Sequence, residues 1–216
     1  MPAASPISLE LYLDHACPWS YMAFSATREV AEQKGLLARW RLLPIAGTVG
    51  LSRADSAMHA QRFAAAWPMA LTTARNDFGL SLRRPGAGAN GVPAAELVGW
   101  LRQEMPARES DLHAALFEAQ FVLGHDIADP ALLRQLAGRL LGREVPPEIA
   151  SGKASSTPDS LLEDRRAARA AGVTAVPTIV LAGSHLVLGA EPAPVLAQAI
   201  EQLTLLSQLG PIAEIG

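Results

Sequence analysis

The sequence predicts an α/β fold in which a large all-helical insertion interrupts a small sheet. Three observations predict it. A strand–helix–strand pattern opens the chain, strand signals vanish from Leu51 to about Ala171, and a strand pair followed by a helix closes it. The sheet domain is then divided between residues 5–50 and 172–208, with residues 51–171 as the insertion. A chain of 216 residues is long enough to bury a substantial core.

Each element has a local signature. Leu9, Leu11 and Leu13 alternate with Glu10 and Tyr12, which predicts a strand over Ile7 to Leu13. Tyr21 to Lys34 follows as a helix and stops at Gly35, a good residue for the position after a helix. Ala38 to Ile45 is the second strand, and two parallel strands joined by a helix make a right-handed βαβ unit. Five helices are expected in the insertion. They are Ser56 to Phe78 with an interruption near Pro68, Pro93 to Gln103 with Leu97, Val98 and Leu101 at helical spacing, and Ser110 to Val122 opened by Ser110 or Asp111. Asp129-Pro130 opens the fourth, which carries Leu132, Leu133, Leu136, Leu140 and Leu141 on one face and ends at Gly142. Thr157-Pro158 repeats that cap for the fifth, which runs to Gly172. Arg83 to Val92, rich in Gly and Pro, reads as a loop. Thr178 to Leu181 and His185 to Leu188 form a hairpin around Gly183-Ser184, and Pro192 to Leu206, opened by Glu191, is the last helix.

Composition narrows the function classes. The net charge is −3 and no block of like charge stands out, so no nucleic acid or anionic membrane is expected as a partner. Charges and prolines interrupt every apolar stretch, so no transmembrane helix is expected, and the first residues lack the pattern of a secretory signal. Cys17 is the single cysteine. One cysteine forms no intrachain disulfide and is too few for a zinc–cysteine site, so no metal is expected. Both facts fit a reducing cytoplasm.

Cys17 stands in Asp14-His15-Ala16-Cys17-Pro18-Trp19-Ser20, between the first strand and the first helix. Pro18 suits a first helical turn, which places Cys17 about where an N-cap would be. Exposed N–H groups there favour an anion, so Cys17 is expected to be a reactive thiol, more acidic than a free one. His15 as a cation would lower the thiol pKa further. Trp19 offers an aromatic surface at the mouth of such a site, whereas Trp40, Trp67 and Trp100 read as core. His59, His113, His125 and His185 show no ligand spacing, and Gly86, Gly88 and Gly91 follow no strand in a dinucleotide-binding arrangement.

Cys17-Pro18-Trp19-Ser20-Tyr21 and the distant Val176-Pro177-Thr178 together resemble the two halves of a thioredoxin-fold active site. More narrowly, the chain resembles the FrnE-like branch of the DsbA family of thiol-disulfide oxidoreductases. The likeness continues through Arg39 to Pro44, Ala115 to Phe121, Gly124 to Pro130 and Gly189 to Pro192. It implies a thioredoxin fold with a large all-helical insertion. Cys17 would be the nucleophile, Pro177 the cis-proline of the site, and Val176 the residue whose backbone pairs with substrate or glutathione. Pro18, Trp19, Ala190 and Glu191 would complete the substrate-binding surface. The branch usually has a second cysteine where this chain has Ser20. Cys17 would then work as a monothiol, with Ser20 as hydrogen-bond donor, and an external thiol would resolve its mixed disulfides.

The implied activity is cytoplasmic exchange of disulfides or glutathione mixed disulfides. The partner would be a disulfide-containing protein or a small-molecule thiol. Glutathione would act as co-substrate, with no tightly bound cofactor. The oligomeric state stays open, a homodimer being one form. Two other readings stay open as well. Kappa-class glutathione transferases and 2-hydroxychromene-2-carboxylate isomerases share the fold, carry Ser at the first motif position and often at the fourth, and place an acidic residue near Glu191. The last reading is a non-catalytic protein that holds peptides in an apolar cleft.

Overall fold

The computed structural model describes residues 7–44, 53–85, 90–149 and 159–209. Four strands form one sheet in the order β2-β1-β3-β4, from β1 (Leu9–Leu13), β2 (Ala38–Leu42), β3 (Thr178–Leu181) and β4 (His185–Leu188). β1 and β2 run parallel, joined by α1 (Pro18–Lys34) as a crossover helix, while β3 lies antiparallel to both β1 and β4. The insertion follows β2 as α2 (Arg53–Phe78), α3 (Val92–Glu104), α4 (Glu109–Glu118), α5 (Pro130–Leu141) and α6 (Asp159–Ala170), and α7 (Ala193–Leu209) ends the chain's described part. This is the expected thioredoxin-type arrangement with a helical insertion.

The period-two pattern of β1 separates two packed layers. Leu9, Leu11 and Leu13 enter the main core with Ile179 and Leu181, against Phe24 and Val30 of α1 and Leu196 and Ile200 of α7. Tyr12 points the other way and joins Val180, Ala168 and Val173. The main core continues into the insertion through Leu97, Leu101, Leu116, Phe117 and Leu133, so sheet and helices share buried apolar surface.

Register decides where the chain's ends meet. Leu13 pairs with Leu42 and Tyr12 with Thr178, and Thr178 in turn pairs with Leu188. The end of β1, the end of β2, the start of β3 and the end of β4 therefore lie at one end of the sheet. The connections that follow β1, β2 and β4, and the one that precedes β3, all start from that end.

The structure departs from the sequence-based expectations at several elements. α2 continues through Pro68 instead of breaking there. Pro68 is exposed, so its ring faces solvent, and its carbonyl also accepts from the Thr72 hydroxyl at 3.1 Å. α4 starts at Glu109 with no side-chain cap and gives way at Ala119 to a π-helical turn ending at Leu123, where an unbroken helix from Ser110 to Val122 is expected. The hairpin turns on Ala182 and Gly183, both at positive φ, one residue earlier than Gly183-Ser184. The α5 cap is as expected: Asp129 accepts from the Ala131 N–H, Pro130 opens the helix, and Gly142 closes it. Ile45, Thr157 and Pro158, and the tail from Gly210, lie outside the described residues.

Candidate active site

Cys17 is the N-cap of α1, with extended φ/ψ of −103° and 118°, and Pro18 is the first helical residue. The loop that delivers it is a tight turn. The Cys17 N–H donates to the Asp14 carbonyl at 3.0 Å, and the Asp14 carboxylate accepts from the Ala16 N–H at 2.9 Å. Short polar side chains that bond their own backbone two residues on favour such turns. Gly91 makes room for it. A Cβ at Gly91 would lie 2.1 Å from Asp14 Oδ1, so only glycine lets the start of α3 come this close to the carboxylate.

Ser20 is fully buried one turn into α1. Its Oγ accepts from the Asp14 N–H at 3.2 Å, and its hydroxyl favours the Cys17 thiolate. Ser20 thus ties the sulfur to the turn.

The electrostatics correct the expectation of an acidic thiol. Cys17 keeps part of its surface open to solvent, yet burial pushes its pKa up to about 11. The Asp14 charge raises it further, and together they outweigh the Ser20 N–H, the Ser20 hydroxyl and the Trp19 N–H, which stabilise the thiolate. A cationic His15 is overturned as well. The ring is buried, and burial, followed by the neighbouring His113 and Arg102, holds its pKa well below the ordinary value. His15 is therefore neutral and lends no positive charge to the sulfur.

The remaining expected residues gather around the same end of the sheet. Val176-Pro177 is a cis peptide bond. Continuing the β1–β3 ladder by one pair sets Pro177 opposite Leu13, the last residue before the Cys17 turn. The loop is held by the Pro177 carbonyl, which accepts from the Gly189 N–H at 3.0 Å, and by the Thr178 hydroxyl, which donates to the Ala175 carbonyl at 2.8 Å. Val176 makes no backbone hydrogen bond among the described residues. Trp19 is half-buried rather than fully displayed, and packs with Ala190 against Met22, Ala70 and Ala74. Glu191 is half-buried and stands two residues before α7. Of the other tryptophans, Trp40 and Trp67 are buried, and Trp100 is half-buried beneath the Arg143 guanidinium at 5.8 Å.

Sequence reasoning missed a set of buried polar residues behind the turn. His15 Nε2 lies 2.8 Å from Nδ1 of His113 on α4. His113 Nε2 faces Glu109 at 3.4 Å, and Glu109 accepts from Arg102 of α3 at 2.7 Å. Arg102 also bonds Asp164 of α6 at 2.7 Å, and Asp164 holds Arg41 at 3.1 Å and the Leu42 N–H at 2.8 Å. The spacing of Glu109 and His113, four apart on one helix, was the available signal. Nothing in the sequence joins that helix to His15.

A cysteine at the cap of the crossover helix, faced by a cis-proline loop on the neighbouring strand, defines a thioredoxin-fold protein with a thiol site. The DSBA-like thioredoxin domain matches residues 8–201, and the chain belongs to that family. Among solved structures, the chain is similar to a probable DsbA oxidoreductase from Streptomyces coelicolor, at 19% identity and a TM-score of 0.64, covering 95% of this chain and 92% of that one. It is also similar to 2-hydroxychromene-2-carboxylate isomerase, at 20% identity and a TM-score of 0.64, covering 94% and 98%. A third is the cytosolic disulfide reductase DsbM from Pseudomonas aeruginosa with GSH, at 20% identity and a TM-score of 0.54, covering 94% and 98%. At these identities the likeness is one of fold. No curated protein matches the chain.

Proposed function

We propose that the chain is a cytoplasmic monothiol oxidoreductase that exchanges disulfides or glutathione mixed disulfides through Cys17. The observation that carries this reading is the pairing of Cys17 at the α1 N-cap with Ser20 buried beneath it, in a chain with no other cysteine. In the forward step the Cys17 sulfur attacks a glutathionylated thiol, forms a mixed disulfide with glutathione and releases the substrate as a thiol. Reduced glutathione then attacks that disulfide, leaving as oxidised glutathione and restoring Cys17. No internal thiol competes for the intermediate. The uncommitted backbone of Val176 would pair with the peptide part of glutathione, and Trp19, Ala190 and Glu191 would border it. Two facts support the setting. No helix among the described residues is long and apolar enough to cross a membrane, and a similar fold is described as a cytosolic disulfide reductase with GSH.

One observation favours a second reading. A thiol with a pKa near 11 is protonated at neutral pH and donates a hydrogen bond. Cys17 would then donate to a glutathione thiolate without covalent exchange, as a glutathione-dependent isomerase or transferase would require.

Intact-mass measurement after incubation with oxidised and then reduced glutathione separates the two. A glutathione adduct on Cys17 that reverses supports exchange. A chain that stays unmodified but binds glutathione supports the isomerase or transferase reading.

A further inference from the structure

The two edges of the sheet are finished differently. At β2 the outward backbone groups are taken by side chains. The Leu42 N–H donates to Asp164 at 2.8 Å, and Arg102 donates to the Trp40 carbonyl at 2.5 Å. That edge is closed to a further strand. The other edge is β4, and its ladder shows which groups it offers. The Gly189 N–H donates to the Pro177 carbonyl at 3.0 Å, and continuing the β3–β4 register sets these two residues opposite each other. Hydrogen-bonded and non-hydrogen-bonded pairs alternate in an antiparallel ladder. Val187 therefore bonds Ile179, while the N–H and C=O groups of Leu186 and Leu188 point away from β3. Neither leucine has a backbone hydrogen bond outside the ladder among the described residues.

The side chains leave this edge unguarded. Leu186 and Leu188 lie across from Val180 and Thr178, on the face of the sheet that carries Tyr12, and are 40% and 66% exposed. Val187 turns to the main core. Open edges are commonly protected by a charged side chain or a proline, because they pair readily with other chains. The stretch from Ala182 to Ala190 holds no Lys, Arg, Asp, Glu or Pro.

We propose that two copies of the chain associate through β4, paired antiparallel about a two-fold axis at Val187. In that register the strand is complementary to itself. Leu186 of one copy faces Leu188 of the other, and each such pair exchanges both of its N–H···O=C bonds. All four outward groups on each copy thereby find partners. The four leucine side chains meet on one face across the new ladder and leave water together. No like charges are opposed, because His185 falls opposite Gly189 of the second copy. A passing peptide would find the same backbone groups but no charge to read, whereas a second copy matches both backbone and side chains. The four-stranded sheet doubles, and Asp164 and Arg102 close both of its outer edges, so the assembly stops at two.

The test is sedimentation of the full chain from about 1 µM to 1 mM, a range that spans weak association. The average mass should rise from one chain to two and go no further. Leu186→Lys with Leu188→Lys sets like charges opposite each other and should weaken association about tenfold or more. Leu186→Lys with Leu188→Glu sets lysine opposite glutamate in both pairs and should restore it. A chain that stays monomeric throughout overturns the proposal. So does a dimer that two lysines leave unchanged, or a lysine–glutamate variant as weak as the lysine pair. If the variants do not fold, amide hydrogen exchange of the wild type decides. The Leu186 and Leu188 amides should gain protection as concentration rises. Fast exchange at every concentration leaves the edge to some other partner and overturns the proposal. Protection that ignores concentration means that the same chain covers its own edge, and overturns it too.

Discussion

Two polar regions, one around Asp164 and one around Cys17, are built on opposite rules. Around Asp164 the charges are matched: Arg41 bonds one carboxylate oxygen, Arg102 and the Leu42 N–H share the other, and Glu10 and Glu109 each take a further donor from Arg41 and Arg102. Around Cys17 the matching is incomplete. The sulfur is held as a thiol in surroundings that disfavour its anion, and a buried histidine nitrogen has no donor among the described residues. The first arrangement fixes how β2, α3 and α6 sit together. The second leaves a thiol and a histidine in neutral states that their surroundings enforce.

The sharpest way to break the contrast is Asp164→Leu. It would leave two guanidinium groups without their shared partner and should cost about 3–5 kcal/mol, measured by urea denaturation. The exchange rate per folded molecule should hold. A loss under about 1 kcal/mol would mean the network is loosely solvated and the contrast false. Next is Gly91→Ala, which drives a methyl group against the Asp14 carboxylate. About 1–3 kcal/mol should be lost, together with a changed Cys17 alkylation rate. A variant as stable as the wild type would show that α3 can back away from the turn.

Ser20→Ala acts on the incomplete side alone. It strips the Asp14 N–H of its acceptor and the thiolate of a donor. Stability should fall by about 1–3 kcal/mol, and the Cys17 alkylation midpoint, expected near pH 11 in the wild type, should move higher still. A wild-type midpoint near the free-thiol value of about 8.5 would remove the claim that burial governs this sulfur. Ser20→Cys, by contrast, should create an intramolecular disulfide with Cys17 under mild oxidation, visible as a loss of two mass units on the intact chain. Two persistent free thiols would show that the positions are not apposed.

The smallest expected effect is on acid stability. The pKa values of His15 and His113 are depressed by folding, so the stability they contribute is full above the unfolded value of 6.5 and fades as pH falls below it. Melting temperature should drop from pH 7 to pH 5, and His15→Asn should flatten part of that drop. An identical pH dependence in the variant would mean that His15 is not buried neutral.

Local codes were legible in the sequence. The strand–Cys–Pro–helix order gave the α1 cap, Asp129-Pro130 gave the α5 cap, and the alternation of Leu9, Leu11 and Leu13 gave the buried face of β1. These depend on neighbours a few residues away. The acidity of Cys17 was misjudged because helix-end charge is a local property and desolvation is not: it depends on what the rest of the fold packs around the sulfur. The His15–His113 bond joins residues 98 positions apart, so no spacing rule reaches it. Pro68, which α2 carries with its ring exposed, and the π-helical turn at Ala119–Leu123 show the same limit, since helix propensity read from neighbouring residues reaches neither.

The register of the sheet has a consequence for how such a protein can change. β2 ends and β3 begins at the same end of the sheet as the Cys17 turn, so the whole helical block is slung between two fixed posts beside the thiol. Lengthening, shortening or reshaping that block would change what packs against the Cys17 turn and Trp19, and leave the strand pairings where they are. On the proposed exchange reading, reactivity and choice of substrate would then be carried by separable stretches of chain, and a lineage could alter one while inheriting the other intact.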